Sequence, residues 1–314
     1  MFSTLFSKSA VYLLHIGKNV IDANLDECLD AFIDREKLPL SFKLHALKWF
    51  TPIINNNKLH QKNANHPVFI GVNGSQGSGK STLSQLLTEL INRMTEYKAL
   101  TLSLDDFYLD KEARHKLAEQ KHQLFATRGV PGTHDTQLMR EVLEALKKGK
   151  SCRLPKFDKS TDNPVPSNQW LELHSGVDFV FFEGWCWGVT SAPEDSLIAP
   201  VNKMEEEQDA FLLWRQYSNK VLASEYEPLY AMFDYWIMLK APSFDCVYKW
   251  RCEQEAKLRI KTPDAPGLMN DEKIFSFIQH YQRLTERCLQ FLPEKCDLVF
   301  ELDENREIKQ AIYQ

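Results

Sequence analysis

The segment from Val68 to Thr82 constrains the fold of this chain more than any other. Its centre, Gly74-Ser75-Gln76-Gly77-Ser78-Gly79-Lys80-Ser81-Thr82, has the two glycines, four intervening residues and Lys-Ser ending of a phosphate-binding loop. The flanks agree with that reading. An apolar, β-branched run (Val68, Phe69, Ile70, Val72) enters the loop, and Leu83, Leu86, Leu87, Leu90, Ile91 and Met94 leave it at the spacing of one helix face.

Glycines in such a loop let the backbone take positive φ and approach a ligand with no Cβ in the way. Successive N–H groups then face one concavity, and the positive end of the following helix adds to its attraction for anions. Lys80 is placed to bridge the terminal phosphates of a nucleotide triphosphate. The Ser81 hydroxyl is placed to hold Mg²⁺, a cation that prefers oxygen ligands.

Composition narrows the partners. The 314 residues carry a formal charge of −5 and a pI of about 6.0. That mildly acidic balance argues against nucleic acid or an anionic membrane as the main partner. Seven cysteines are odd in number and scattered, with no CxxC or Cys/His metal spacing, as expected of reduced thiols. The apolar run Ala10–Ile16 is short and lacks the basic start and cleavage pattern of a signal peptide. No run reaches the roughly 18 apolar residues of a membrane span. A soluble, cytoplasmic monomer or homodimer is the expectation.

Residues 1–64 predict two or three helices, with Leu25, Cys28, Leu29 and Phe32 at helical spacing. They form an extension packed on a nucleotide-binding domain of residues 65–314. Lys98–Ser103 predicts a second strand that runs into Asp105-Asp106-Phe107-Tyr108. Ligands of an open parallel sheet bind past the carboxyl ends of its strands, so these carboxylates face the phosphates. The alternative is that they cap the next helix.

Two irregular segments follow. One, Arg128-Gly-Val-Pro-Gly-Thr-His-Asp135, carries Arg128 and His134, and the other, Leu154–Ser160, carries Lys156 and Lys159. Cations in loops are suited to hold an anionic small substrate. Val177–Phe182 predicts a strand buried on both faces. It ends at Glu183, where enzymes with this kind of loop place a second metal-site carboxylate.

Residues 190–230 read as the least regular part. The acidic run Glu205–Asp209 reads as a helix start or a solvated face, and Phe211, Leu212, Leu213 and Trp214 as at least partly buried. Tyr235–Leu239 and Leu298–Leu302 predict the fourth and fifth strands. A long helix from Ser243 carries Arg251 and Arg259 two turns apart on one face, suited either to reach phosphates from a lid or to pair with Glu253 and Glu255. The alternation predicts an α/β fold, a mostly parallel five-stranded sheet with helices on both faces.

With these pieces assembled, the chain resembles the P-loop kinases, the group of uridine kinase, phosphoribulokinase and pantothenate kinase. More narrowly it resembles the plant- and fungal-type D-glycerate 3-kinases and their bacterial relatives. The matching stretches are Gln76–Thr82, Ser103–Tyr108, Arg128–Asp135, Pro155–Ser160, Glu183-Gly-Trp185, Tyr248–Arg251 and Glu301–Arg306. The resemblance implies a P-loop NTPase fold using ATP and Mg²⁺, with Lys80 and Asp105 catalytic and Asp105 the base on the acceptor hydroxyl. It implies that Asp106 and Tyr108 lie on the substrate side, that Asn305 and Arg306 lie near the adenine, and that Arg251 belongs to the lid. The family's Gln-Ala is replaced here by Glu253-Gln254, and the acidic run near Glu206 has no family counterpart.

The expected reaction is transfer of the ATP γ-phosphoryl to a hydroxyl of a small acid, with D-glycerate the first acceptor to test. Lys80, Mg²⁺ and a lid arginine would stabilise charge spread over the γ oxygens. Two alternatives remain: a kinase for a nucleoside, sugar or pantothenate-like acceptor, and a slow ATPase switch with no acceptor. The carboxylate at Asp105 and the two basic loops speak for an acceptor.

Overall fold

The computed structural model describes residues 18–54, 66–261 and 269–314. The apolar run Ala10–Ile16 and the polar linker up to Asn65 lie outside the described residues. The elements follow in chain order: α1 (Lys18–Glu36), β1 (Val68–Gly74), α2 (Lys80–Met94), β2 (Ala99–Ser103), β3 (Phe179–Gly184), β4 (Tyr235–Lys240), α3 (Phe244–Lys261), α4 (Asp271–Phe291), β5 (Leu298–Leu302) and β6 (Ile308–Tyr313). The sheet runs β6-β5-β4-β1-β3-β2.

Every residue of β1 and of β3 is buried. A strand buried at successive positions is covered on both faces, which explains the unbroken apolar run Phe179–Phe182. β1 lies parallel between β3 and β4, and Gly71 is where Trp236 of β4 crosses it. A Cβ at Gly71 would sit 2.4 Å from the Trp236 ring. The helical face read from the sequence is the buried one: Leu83, Leu86, Leu87, Leu90 and Ile91 of α2 are all buried. Each contributes roughly 2 kcal/mol through removal from water.

Register sets the site. Val72 pairs with Glu183, and Ser103 pairs with Glu183 from the other side. The ends of β1, β2 and β3 therefore open at one edge, where the glycine loop begins.

Two expectations need correction, and a third holds in part. The sheet has six strands, because β6 pairs antiparallel with β5 beyond the five parallel strands. Only Ile308 of β6 is buried; an edge strand held by backbone pairing needs no apolar run. Phe211, expected to be at least partly buried, is 84 % exposed, and Leu213 is 54 % exposed. Leu212 turns the chain there with φ 63°, and only Trp214 of the four enters the core. The acidic run does start a helix (Lys203–Gln208), yet Glu205 and Asp209 are buried while Glu206 and Glu207 face solvent. Glu205 accepts from Arg283 at 2.8 and 2.6 Å, and Arg215 lies between Glu205 and Asp209 at 3.7 and 3.5 Å. Removing one member of such a buried charge network strands the others without a counter-charge.

The leading segment packs on the sheet and its helices at two places. Arg35 of α1 pairs with Glu89 of α2 at 2.6 Å, and Phe50 meets Phe300 of β5 edge to face at 5.8 Å. Between them Ser41–Ile54 runs as one continuous helical stretch with a wide turn at Ala46–Phe50.

Candidate active site

The glycines of the loop have separate geometric reasons. Gly77 and Gly79 adopt φ of 79° and 94°, the left-handed region that side chains disfavour. A Cβ on Gly74 would lie 2.4 Å from the Ser78 hydroxyl, so Gly74 makes room for the loop to fold over itself. Ser75 and Ser78 keep buried hydroxyls with no hydrogen-bond partner.

Ser81 donates to Glu183 Oε1 at 2.7 Å, and Lys80 Nζ lies 3.7 Å from Glu183 Oε2, which is itself buried and lacks a hydrogen bond. Buried polar atoms without partners are rare, and those of Ser75, Gln76, Ser78 and Glu183 stand together at this loop. The donor set suits a phosphate chain with a hard cation: a hydroxyl and one carboxylate, the remaining ligands being phosphate oxygens and water. Among the described residues no group of three His, Cys, Asp or Glu could hold a metal unaided.

These residues line a cleft of about 590 Å³. Ser103, Asp105 and Lys159 line it as well. Lys159 Nζ lies 2.7 Å from Asp105. Burial pushes the Asp105 carboxyl up, but Lys159 and then Lys80 outweigh it and hold the group at about 2. Asp106 turns the other way, meeting Lys156 at 3.1 Å and accepting from the Phe157 N–H at 3.2 Å. Burial raises its carboxyl despite Lys156. The two adjacent aspartates thus stand in opposite electrostatic settings. Neither caps the long helix that follows, whose first N–H groups are met by Asp110.

The segment Arg128–Asp135 is bound to the end of β2 by backbone bonds from Leu109 to Thr133 and from Asp135 to Phe107. Gly129 brings the chain against Tyr281 of α4: a Cβ there would lie 2.8 Å from the ring. Tyr281 in turn donates to the Arg128 carbonyl at 3.0 Å.

Each of the four residues expected to meet an anionic substrate has a partner within the protein. Arg128 pairs with Asp162, which also holds the buried Arg114 at 2.7 Å. His134 is 4 % exposed, stacks on Tyr108 at 4.3 Å and shares a 2.6 Å hydrogen bond with Tyr226. Burial holds its imidazole down at about 3, so it is a neutral hydrogen-bonding group and not a cation. Arg128, His134, Tyr108, Asp106 and Lys156 surround the Asp105 segment without lining the cleft itself.

On the opposite side, Asn305 and Arg306 do line the cleft. Arg306 donates to the Gly77 carbonyl at 3.1 Å, lies 5.3 Å over the Trp250 ring and pairs with Glu253. Gln254 reaches the loop beside Gly77, so the Glu253-Gln254 replacement falls on the wall of the phosphate loop. Arg251 is tied to buried Glu255 at 2.8 Å and Arg259 donates to the Met269 carbonyl at 2.7 Å; neither lines the cleft. The pairing of Arg251 with Glu255 is one of the two arrangements the sequence allowed. Sequence reasoning missed Asp162 and the residues Leu38, Phe42 and His45, of which the last three also line the cleft. Asp162 carries no motif, and the other three precede the first strand by more than twenty positions.

Comparison with known proteins agrees with this geometry. Residues 69–192 match the model of the phosphoribulokinase/uridine kinase family. The chain is 33 % identical over 227 residues to an uncharacterized kinase, mug58, of Schizosaccharomyces pombe, covering 68 % of this chain and 78 % of that protein. It is 29 % identical over 264 residues to the chloroplastic D-glycerate 3-kinase of Arabidopsis thaliana, covering 78 % of this chain and 55 % of that one. A solved D-glycerate 3-kinase from Cryptococcus neoformans superposes with a TM-score of 0.68 at 26 % identity, covering 84 % of this chain and 98 % of that one. The phosphate loop, the carboxylates beyond β2 and β3 and these likenesses together place the chain in the phosphoribulokinase/uridine kinase family of ATP-dependent P-loop kinases.

Proposed function

We propose that this kinase transfers the γ-phosphoryl of ATP to a hydroxyl of D-glycerate, giving 3-phosphoglycerate. One observation carries the reading: the Asp105–Lys159 pair stands in the same cleft as Lys80 and the Ser81–Glu183 contact. A carboxylate and an ammonium side by side suit a small acceptor that carries both a hydroxyl, which the carboxylate can bind, and a carboxylate, which the ammonium can pair with. The names of the two D-glycerate kinases to which the chain is similar support the choice of acid.

The chain's residues divide the work. Backbone N–H groups of Gly74–Ser81 bind the phosphates, and Lys80 neutralises charge that grows on the γ oxygens. Ser81 and Glu183 would hold Mg²⁺, whose positive charge would offset that of the phosphates. Asn305 and Arg306 flank the base end. Asp105 orients the acceptor hydroxyl and takes its proton.

At about 2, Asp105 is a weak base while Lys159 is bound to it. The acceptor carboxylate competes for Lys159, and as the ammonium turns to it the proton affinity of Asp105 rises. Arg128 and neutral His134 fix the neighbouring loop. We assign residues 65–314 to the catalytic domain. No helix among the described residues is long and apolar enough to cross a membrane, and the scattered thiols suit work in the cytoplasm.

ADP release from Mg-ATP, measured across hydroxy acids, sugars and nucleosides, tests the assignment. Turnover that depends on D-glycerate supports it. Turnover with another acceptor alone rejects the acid, and ADP release independent of any acceptor rejects the phosphotransfer reading.

A further inference from the structure

The cleft is longer than the phosphate loop needs, and its far end is built by the segment that precedes the nucleotide-binding domain. Leu38, Pro39, Ser41, Phe42 and His45 line it together with Asn305–Ile308 of the β5–β6 turn. We propose that the helical stretch around Phe42 and His45 is the wall on which the nucleotide base rests, so that the N-terminal extension is part of the ATP site. This rests on the kinase reading above and adds the base-binding surface to it.

The chemistry of this wall matches a purine. A purine is a flat apolar body with a polar edge. Phe42 and His45 lie nearly parallel, 6.0 Å apart with planes 21° from one another, and Leu38 and Pro39 add apolar surface beside them. Ser41, Asn305 and Glu307 bring hydrogen-bonding groups to the same end. His45 Nδ1 lies 3.6 Å from Glu307, which joins the wall to the turn after β5. Burial lowers the imidazole below its usual range, and Glu307 only partly offsets this. The wall thus presents an uncharged ring to the cleft.

Position supports the same reading. The phosphate end is pinned at Gly77–Ser81, and Arg306 donates to the Gly77 carbonyl from the β5–β6 turn. A nucleotide that leaves the loop along the cleft passes between this turn and the N-terminal wall. The wall itself is anchored: Phe42 packs against Phe32 and Phe50, and Phe50 against Phe300.

Calorimetric titration of the full chain with Mg-ADP and with Mg-tripolyphosphate separates the base from the phosphates. His45→Ala removes part of the wall, and Ser41→Trp fills the cleft from an exposed position. Both should weaken Mg-ADP about tenfold, the loss of one well-packed contact, and leave Mg-tripolyphosphate within about twofold. Equal losses for both ligands would show that the segment only props the loop, and unchanged ADP affinity in both variants would place the base elsewhere; either result overturns the proposal. Thermal melting identifies a variant that fails to fold, and the other then decides. An unsubstituted chain that binds neither ligand would instead sink the kinase reading.

Discussion

The loop Gly74–Ser81 and the loops carrying Arg128, Lys156 and Lys159 both bring charge to one end of the sheet, but they hold it differently. In the first, the backbone does the holding, and glycine geometry leaves buried hydroxyls and one carboxylate oxygen without partners inside the protein. In the second, each cation already has a carboxylate: Arg128 with Asp162, Lys156 with Asp106, Lys159 with Asp105. A phosphate cradle is thus built waiting for its ligand. An acceptor site of paired charges has to exchange partners when its ligand arrives. That difference predicts which substitutions stop chemistry, which unfold the loops and which do little.

The largest effect belongs to the point where the two regions meet. Asp105→Asn keeps the size of the side chain and removes the proton acceptor, so kcat should fall about 10³-fold, within the span of general base catalysis. The affinity for Mg-ATP, read by calorimetry, should stay within about twofold, because the phosphate loop does not depend on Asp105. Near-normal turnover would remove Asp105 from the proposed chemistry and leave the paired-charge side without a catalytic group.

Next in size is a change confined to the acceptor loops. Asp162 holds buried Arg114 and also Arg128. Asp162→Ala should cost about 3 kcal/mol, as for other buried pairs broken on one side, although Arg114 keeps bonds to the Asp110 and Asp162 carbonyls at 3.4 and 3.1 Å. Denaturant unfolding measures it. A loss below about 0.5 kcal/mol would show that those carbonyls satisfy Arg114 alone.

This contrast also marks how far the sequence could be read. The cradle is local: strand, glycines and helix are contiguous, so their spacing reveals both fold and chemistry. The five parallel strands were legible for the same reason, each being largely an apolar run. The partners of the acceptor loops are distant in sequence, and no spacing rule links Arg128 to Asp162 or His134 to Tyr226. His134 looked like a cation because burial cannot be seen in a motif. Glu205 looked solvated because its arginine, Arg283, comes 78 positions later. The edge strand β6 was missed since five of its six residues face outward or are only half-buried.

A pH profile sharpens the comparison further. With Lys159 in place the Asp105 carboxyl sits at about 2, so kcat/KM should show no acid limb from this group above about pH 3. Lys159→Met removes the cation that does most to hold it down. The carboxyl then rises, the ionised base is lost as pH falls through the higher value, and an acid limb should enter the range near the ordinary aspartate value of about 4. The KM for the acid should rise about tenfold, one charged contact's worth. An unshifted limb would mean that the Asp105–Lys159 pair does not govern the base.

Lys156 makes the smallest and most discriminating case, since it shares a motif and a similar exposure with Lys159: 68 % of its side chain is open to solvent, against 61 %. It differs in its partner. Asp106 keeps the Phe157 N–H after the lysine is gone, and neither residue lines the cleft. Lys156→Met should therefore change KM and kcat by no more than about threefold, measured beside Lys159→Met under the same conditions. If the two substitutions raise KM equally, the acceptor is held by a diffuse field from both lysines, and the separate settings of Asp105 and Asp106 have no functional meaning.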